Sequence, residues 1–307
     1  MKRINKTLLF ILLTLGLSYL LAGLFYGLGG RYSTSGGVVL AVVYMYMPAV
    51  SAILITKVIH KEKIKEKLLI SFKLNKWFVV AWLIPPLLSF ATFGISLLFP
   101  HVSYSPGMEG MFDRYGKLMT PEQMDQMKKS LESMPLNPLW LGLIQGLAAG
   151  LTVNAVAGFG EELGWRGFLY NQFKHLNFIK ASLTIGFVWG IWHAPLILMG
   201  HNYPQHPVIG VLMMTIWCIL LSPLFLYITI KSESVIAAAI MHGTLNGTAG
   251  ISILLVAGGN DLIVGTTGLA GFIALIIFIL VLFIYDTWIS KEKIMLKEKI
   301  DFNQFKV

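Results

Sequence analysis

Charge is scarce in this chain. Of its 307 residues only 13% are Asp, Glu, Lys or Arg, against 56% hydrophobic residues, and the mean hydropathy is +0.71. That balance excludes a soluble globular domain and requires an integral membrane protein. Cysteine is almost missing as well. The single Cys218 rules out an internal disulfide, and its place inside an apolar run reads as packing. There is no low-complexity tract, no repeat period of soluble arrays and no H-E-x-x-H. The first apolar stretch, Leu8 to Leu28, follows Met1-Lys2-Arg3 without a small-residue cleavage site. It is expected to be a retained span rather than a signal peptide.

What the chain has in abundance is apolar runs long enough to cross about 30 Å of hydrocarbon at helical rise. Eight are expected, at 8–29, 36–56, 77–99, 138–163, 182–200, 208–230, 234–257 and 262–285. They predict an all-α, polytopic membrane helical bundle with the whole of 1–307 as one transmembrane domain. Alternating these spans from a cytoplasmic N-terminus puts 19 of the 24 Lys and Arg on one side, leaving Arg31, Arg114, Lys117, Lys128 and Lys129 opposite. The positive-inside rule therefore places both termini in the cytoplasm of a multi-pass cell-membrane protein. The net charge of +9 lies in short links, not on one aromatic-lined face. It points to lipid headgroups as partners and away from nucleic acid.

Between the last two spans only Gly258-Gly259-Asn260-Asp261 remains to reverse the chain, so a tight turn with left-handed backbone is expected. The one long link, His101 to Pro138, carries Thr120-Pro121-Glu122-Gln123, a helix start with a capping box. It predicts a short amphipathic surface helix with Met124, Met127 and Leu131 on one face. Trp77 and Trp288 are placed as interfacial anchors, and Pro85-Pro86, Pro195 and Pro223 as helix kinks that serve packing.

The polar residues inside the apolar runs are few and therefore informative, because an ionised group in hydrocarbon costs several kcal/mol unless it is paired. Glu161 and Glu162 are adjacent in the cytoplasmic third of the fourth run, with Arg166 after them. Glu162 and Arg166 stand four apart with the acid first, the favourable order for a helical ion pair. Glu161 is rotated by about 100° and is expected to stay free as a proton acceptor. His193 follows Trp189 by four, and His242 precedes Asn246 by four. Each pair shares a helix face, so three spans carry Glu161, His193, His242 and Asn246 to similar depths. Trp189 and Trp192 read as packing, and small residues around His242, among them Gly243 and Gly247, allow close helix approach. His201 and His206 lie in a link without further ligands beside them.

The segment E-E-L-G-W-R resembles the E-E-x-x-x-R motif of the CPBP family of intramembrane proteases, which includes type II CAAX prenyl endopeptidases and bacteriocin-processing or self-immunity proteins. W-G-I-W-H resembles that family's aromatic-x-x-x-H motif, with Trp189 where phenylalanine is usual, and H-G-T-L-N its H-x-x-x-N/D motif. The three occur in the family's order within a core of 138–256.

The resemblance implies an endopeptidase acting on membrane-anchored peptides or protein tails. Glu161 is then the base that activates water, assisted by His193. His242 and Asn246 stabilise the oxyanion, and Glu162, Arg166 and Trp189 shape the site. No cofactor is required in this reading. The runner-up uses zinc held by Glu161, His193 and His242. Two other classes remain: a non-catalytic bacteriocin-immunity or peptide-binding protein using the same cavity, and a proton-coupled transporter. The transporter predicts inverted repeats, and none is found.

Overall fold

The computed structural model describes residues 5–115, 121–132 and 136–300. Every one of the eight expected segments is helical. The main helices are α1 (Lys6–Gly27), α2 (Ser35–Ile59) and α3 (Lys76–Ser96). After them come the strand β1 (Val102–Tyr104) and the surface helices α4 (Glu109–Tyr115) and α5 (Pro121–Glu132). The second half holds α6 (Pro138–Leu151), α7 (Val153–Phe173), α8 (Phe178–Trp192), α9 (Pro207–Ser232), α10 (Val235–Thr248), the strand β2 (Val256–Gly258) and α11 (Leu269–Ile289). Among the described residues five helices are long and apolar enough to span a membrane, and six if α6 and α7 count as one bent span. The protein is a polytopic helical bundle. Its exposed flanks are apolar, as Leu12, Leu212 and Val281 illustrate.

Several expectations are corrected: α11 begins at Leu269 rather than 262, and α10 ends at Thr248, short of 257. The fourth run continues to Phe173 and bends by 53° at Thr152, whose backbone (φ −124°, ψ −109°) is not helical. Glu161 therefore sits twelve residues before the Phe173 end of the helix. The extension holds because Leu163, Trp165, Phe168 and Leu169 are all buried within a π-helical stretch, Leu163–Leu169. Trp77, in turn, is not an exposed anchor. It is buried edge-on to Tyr227 and Tyr285, with Lys76 and Lys231 above its ring, whereas Trp288 is exposed.

The remaining expectations concern the outer links. Gly258 (φ +78°) and Gly259 (φ +68°) make the left-handed turn. Just before it, β2 pairs antiparallel with β1, Val102 opposite Gly258, tying the long link to the end of the seventh segment. The helix at Pro121 forms, with Met124 and Met127 half-buried and Asp125 and Gln126 exposed; Thr120 of the capping box and the side chain of Leu131 lie outside the described residues.

Glycines set how closely the site helices approach. A Cβ on Gly146 would meet Gly247 O at 2.4 Å, one on Gly247 would meet Gly146 O at 2.7 Å, and one on Gly150 would meet Thr244. On the other flank of α10, a Cβ on Gly243 would meet the Ala155 backbone nitrogen at 2.4 Å. Between α8 and α9, Gly186 and Gly190 face the backbone of Cys218 and Thr215 in the same way. These contacts bring backbones together as small-residue stripes do between membrane helices. Gly247→Val should therefore drive α6 from α10 at a cost of at least about 1–3 kcal/mol, since backbone atoms cannot step aside. The fraction recovered as monodisperse protein in detergent should fall sharply. Gly142→Ala, at a position with open space around it, should leave that fraction unchanged.

The N-terminal helices complete the bundle by capping carbonyls. Pro195 has no N–H to give to Ile191 O, and the Tyr19 hydroxyl of α1 donates to that oxygen at 2.6 Å. Tyr44 of α2 donates to Trp192 O at 2.7 Å, and the Trp192 indole donates to Ser18 Oγ at 2.7 Å. At the other end, buried Asp286 accepts from Tyr227 Oη and from the backbone N–H groups of Ile294 and Met295, which fastens the segment after α11.

Candidate active site

The two glutamates point to different partners, as adjacent residues on a helix must. Glu162 is fully buried, and Arg166 Nη1 lies 3.1 Å from each of its carboxylate oxygens. The guanidinium lies near the rings of both Trp189 (4.3 Å to the centroid) and Phe225 (4.5 Å), and Nη2 donates to Ser222 Oγ at 3.5 Å. This is the expected helical pair, reinforced by two aromatic rings.

Glu162 has a second partner. His242 Nδ1 lies 2.8 Å from Glu162 Oε1, and a carboxylate can only accept, so Nδ1 carries the proton. The other ring nitrogen, Nε2, faces Glu161 Oε1 at 3.7 Å. That gap is too long for a direct hydrogen bond, and a water bonded to both atoms has to lie to one side of the line joining them.

Glu161 is not free. Trp189 Nε1 donates to its Oε2 at 2.7 Å, so Trp189 does more than pack. The sequence reading missed this because a donor from α8 to α7 leaves no trace in the spacing of either helix. Trp189 also organises the two imidazoles, with its ring centroid 5.8 Å from both His193 and His242. Its backbone carbonyl accepts from His193 Nδ1 at 2.9 Å, which leaves His193 Nε2 with the lone pair.

Asn246 lies one turn beyond His242 on α10 and is exposed, while Glu161, His193 and His242 are buried. No polar contact joins Asn246 to the buried cluster among the described residues. Asn154, just after the bend in α7, donates to Gly243 O at 3.2 Å and ties α7 to α10. The helix α9, in which no site residue was expected, supplies Ser222, Phe225 and Cys218, whose Sγ is 3.9 Å from His193 Nδ1. Ser222 beside Pro223 in an otherwise apolar run was the available signal.

The two loop histidines go elsewhere. His201 shares a hydrogen bond with Tyr32 at 2.8 Å, and burial pushes its pKa down to about 4. His206 pairs with Asp261 at 2.6 Å, joining the link before α9 to the turn before α11. Among the described residues no three His, Cys, Asp or Glu side chains are grouped to hold a metal ion. His242 and His193 each place Nδ1 against an oxygen acceptor, which leaves Nε2 of both rings as the atom with which an imidazole ligates a metal.

Residues 140–248, which contain every site residue named above, match the family model described as type II CAAX prenyl endopeptidase Rce1-like. A 44-residue stretch, 14% of this chain, is 41% identical to the CAAX prenyl protease 2 of Methanococcus maripaludis. The core of this chain is similar to that protease family over residues 140–248. The match covers only 16% of that relative's length, so the likeness is one of the CPBP core and not of the whole protein. Within that core the helices α7, α8 and α10 bring the three motifs around a single indole ring, and with several apolar spans around them the chain is a multi-pass membrane protein.

Proposed function

We propose that the protein is an intramembrane endopeptidase that hydrolyses membrane-anchored peptides or protein tails with a water activated by Glu161. The observation that carries this reading is the facing of Glu161 Oε1 and His242 Nε2 across 3.7 Å in a buried site, with each group held from behind. With both carboxylates ionised and Arg166 charged, the cluster has one negative charge in excess, and burial makes that excess costly. One proton held by His242 balances it. Glu161 then remains a carboxylate, and His242 Nε2–H becomes a donor.

In that state a water bonded to Glu161 Oε1 beside His242 gives Glu161 a proton while the water oxygen attacks the scissile carbonyl carbon. His193 Nε2, left with its lone pair, accepts a hydrogen bond from the water's other O–H, which stays on the attacking oxygen. The carbonyl oxygen becomes an oxyanion, which receives hydrogen bonds from His242 Nε2 and the Asn246 amide. Collapse of the tetrahedral intermediate breaks the C–N bond, and the proton on Glu161 passes to the departing amine. General-base help of this kind contributes about 10²–10⁴-fold, and each oxyanion donor about 10²–10³-fold. The charge distribution among the links supports both termini lying in the cytoplasm.

The test is incubation of the purified protein in liposomes with a library of membrane-anchored peptides, with and without a strong chelator. Cleavage by wild type that survives the chelator and is absent in Glu161→Ala is the expected result. Full activity of Glu161→Ala overturns the reading, and chelator-sensitive activity replaces it with the zinc-dependent version.

A further inference from the structure

We propose that the indole N–H of Trp189 is a positioning group for Glu161: it holds Oε2 and so assigns Oε1 as the oxygen that takes the proton from water. This rests on the endopeptidase reading above and deepens it. A carboxylate on a two-carbon stem rotates readily, and only the plane that keeps one oxygen on Trp189 leaves the other facing His242. The 2.7 Å bond from Trp189 Nε1 selects that plane. The indole itself does not move, because it is buried against Trp217 (centroids 6.2 Å apart), Phe225 (5.6 Å) and the Arg166 guanidinium.

Trp189 acts on the site in two separable ways. Its carbonyl sets the tautomer of His193 and its side chain sets Glu161. Only the second is lost in Trp189→Phe, which keeps an aromatic ring and the backbone but has no N–H. The remaining charged or titratable groups that act on Glu161 are His242 from α10, Cys218 from α9, Tyr44 from α2, and Glu162 and Arg166 of its own helix, and all are retained in that variant.

Two readouts separate positioning from mere packing. Trp189→Phe should fold as wild type does and lose about ten- to a hundredfold in kcat with little change in KM, the size expected when a reacting group is displaced by up to about 1 Å. Its acid limb should move to higher pH, because a hydrogen bond to the ionised carboxylate has been removed. Independently of any substrate, the indole hydrogen-bond marker in the ultraviolet resonance Raman difference between wild type and Trp189→Phe should shift toward that of an unbonded indole when Glu161 is changed to Ala.

A Trp189→Phe protein with wild-type kcat and pH profile, or a Raman marker indifferent to Glu161→Ala, overturns the proposal. The proteolytic reading still stands in that case if Glu161→Ala is inactive. Should Glu161→Ala retain full activity, both fall together.

Discussion

Arg166→Leu should be the most destabilising single change in the core, at about 3–5 kcal/mol, because it leaves the Glu162 carboxylate buried without its cation. Arg166 is fully buried, with the rings of Trp189 and Phe225 close to its guanidinium, so its cation is not replaced by bulk water. Arg166→Lys should not restore the protein. An ammonium is a single point of charge and lacks the guanidinium's separated N–H donors, which reach the Glu162 carboxylate and Ser222 together. The informative partner is the double variant Arg166→Leu with Glu162→Gln, in which neither charge is left behind. It should recover much of the lost stability but little activity, since His242 would lose the carboxylate that orients it. Thermal unfolding in detergent of the two single variants and the double variant closes the cycle. Additive losses would show that the pair is not coupled.

Glu161→Gln is expected to leave folding intact and to lower cleavage by about 10³-fold, within the range a general base supplies. The fold is spared for a specific reason. The glutamine carbonyl can accept from Trp189 Nε1 as Oε2 does now, and its NH₂ then faces His242 Nε2. The site keeps its shape and loses its charge. Glu161→Asp keeps the charge and loses the reach, because one fewer methylene withdraws the carboxylate by about 1 Å or more, and a loss of about 10²-fold is expected. Initial rates on a cleavable membrane-anchored peptide, set beside the unfolding temperature of each variant, distinguish the two losses. A Gln variant as active as wild type would falsify the assignment of Glu161 as base.

Spacing within one helix was legible in the sequence, and geometry between helices was not. The pairing of Glu162 with Arg166 follows from four residues of separation and is present in the structure, and composition alone gives the polytopic helical bundle, in which five or six of the eight expected runs are helices of spanning length among the described residues. That His242 binds Glu162 while its far nitrogen faces Glu161 depends on the rotation of α10 against α7. That rotation is fixed by Gly243 against Ala155 and by Gly158 against His242, contacts that no periodicity encodes. The bend at Thr152 was hidden for a related reason. No proline marks it, and the hydroxyl of Thr152 satisfies Ala148 O at 2.8 Å within an unbroken apolar run. The continuation to Phe173 was missed because Arg166 and the asparagine at 171 read as the start of a polar link, whereas Arg166 turns wholly inward.

The hydroxyls of Tyr19 and Tyr44 reach across from helices outside the stretch that matches the protease family, and they end on Ile191 O and Trp192 O, beside the histidine at 193. The family stretch is consequently not a portable module. Excised from its N-terminal helices, it would lose the phenol donors to two peptide oxygens next to the imidazole of His193. Transplanting the chemistry into another scaffold would require carrying two phenols along with the three motifs.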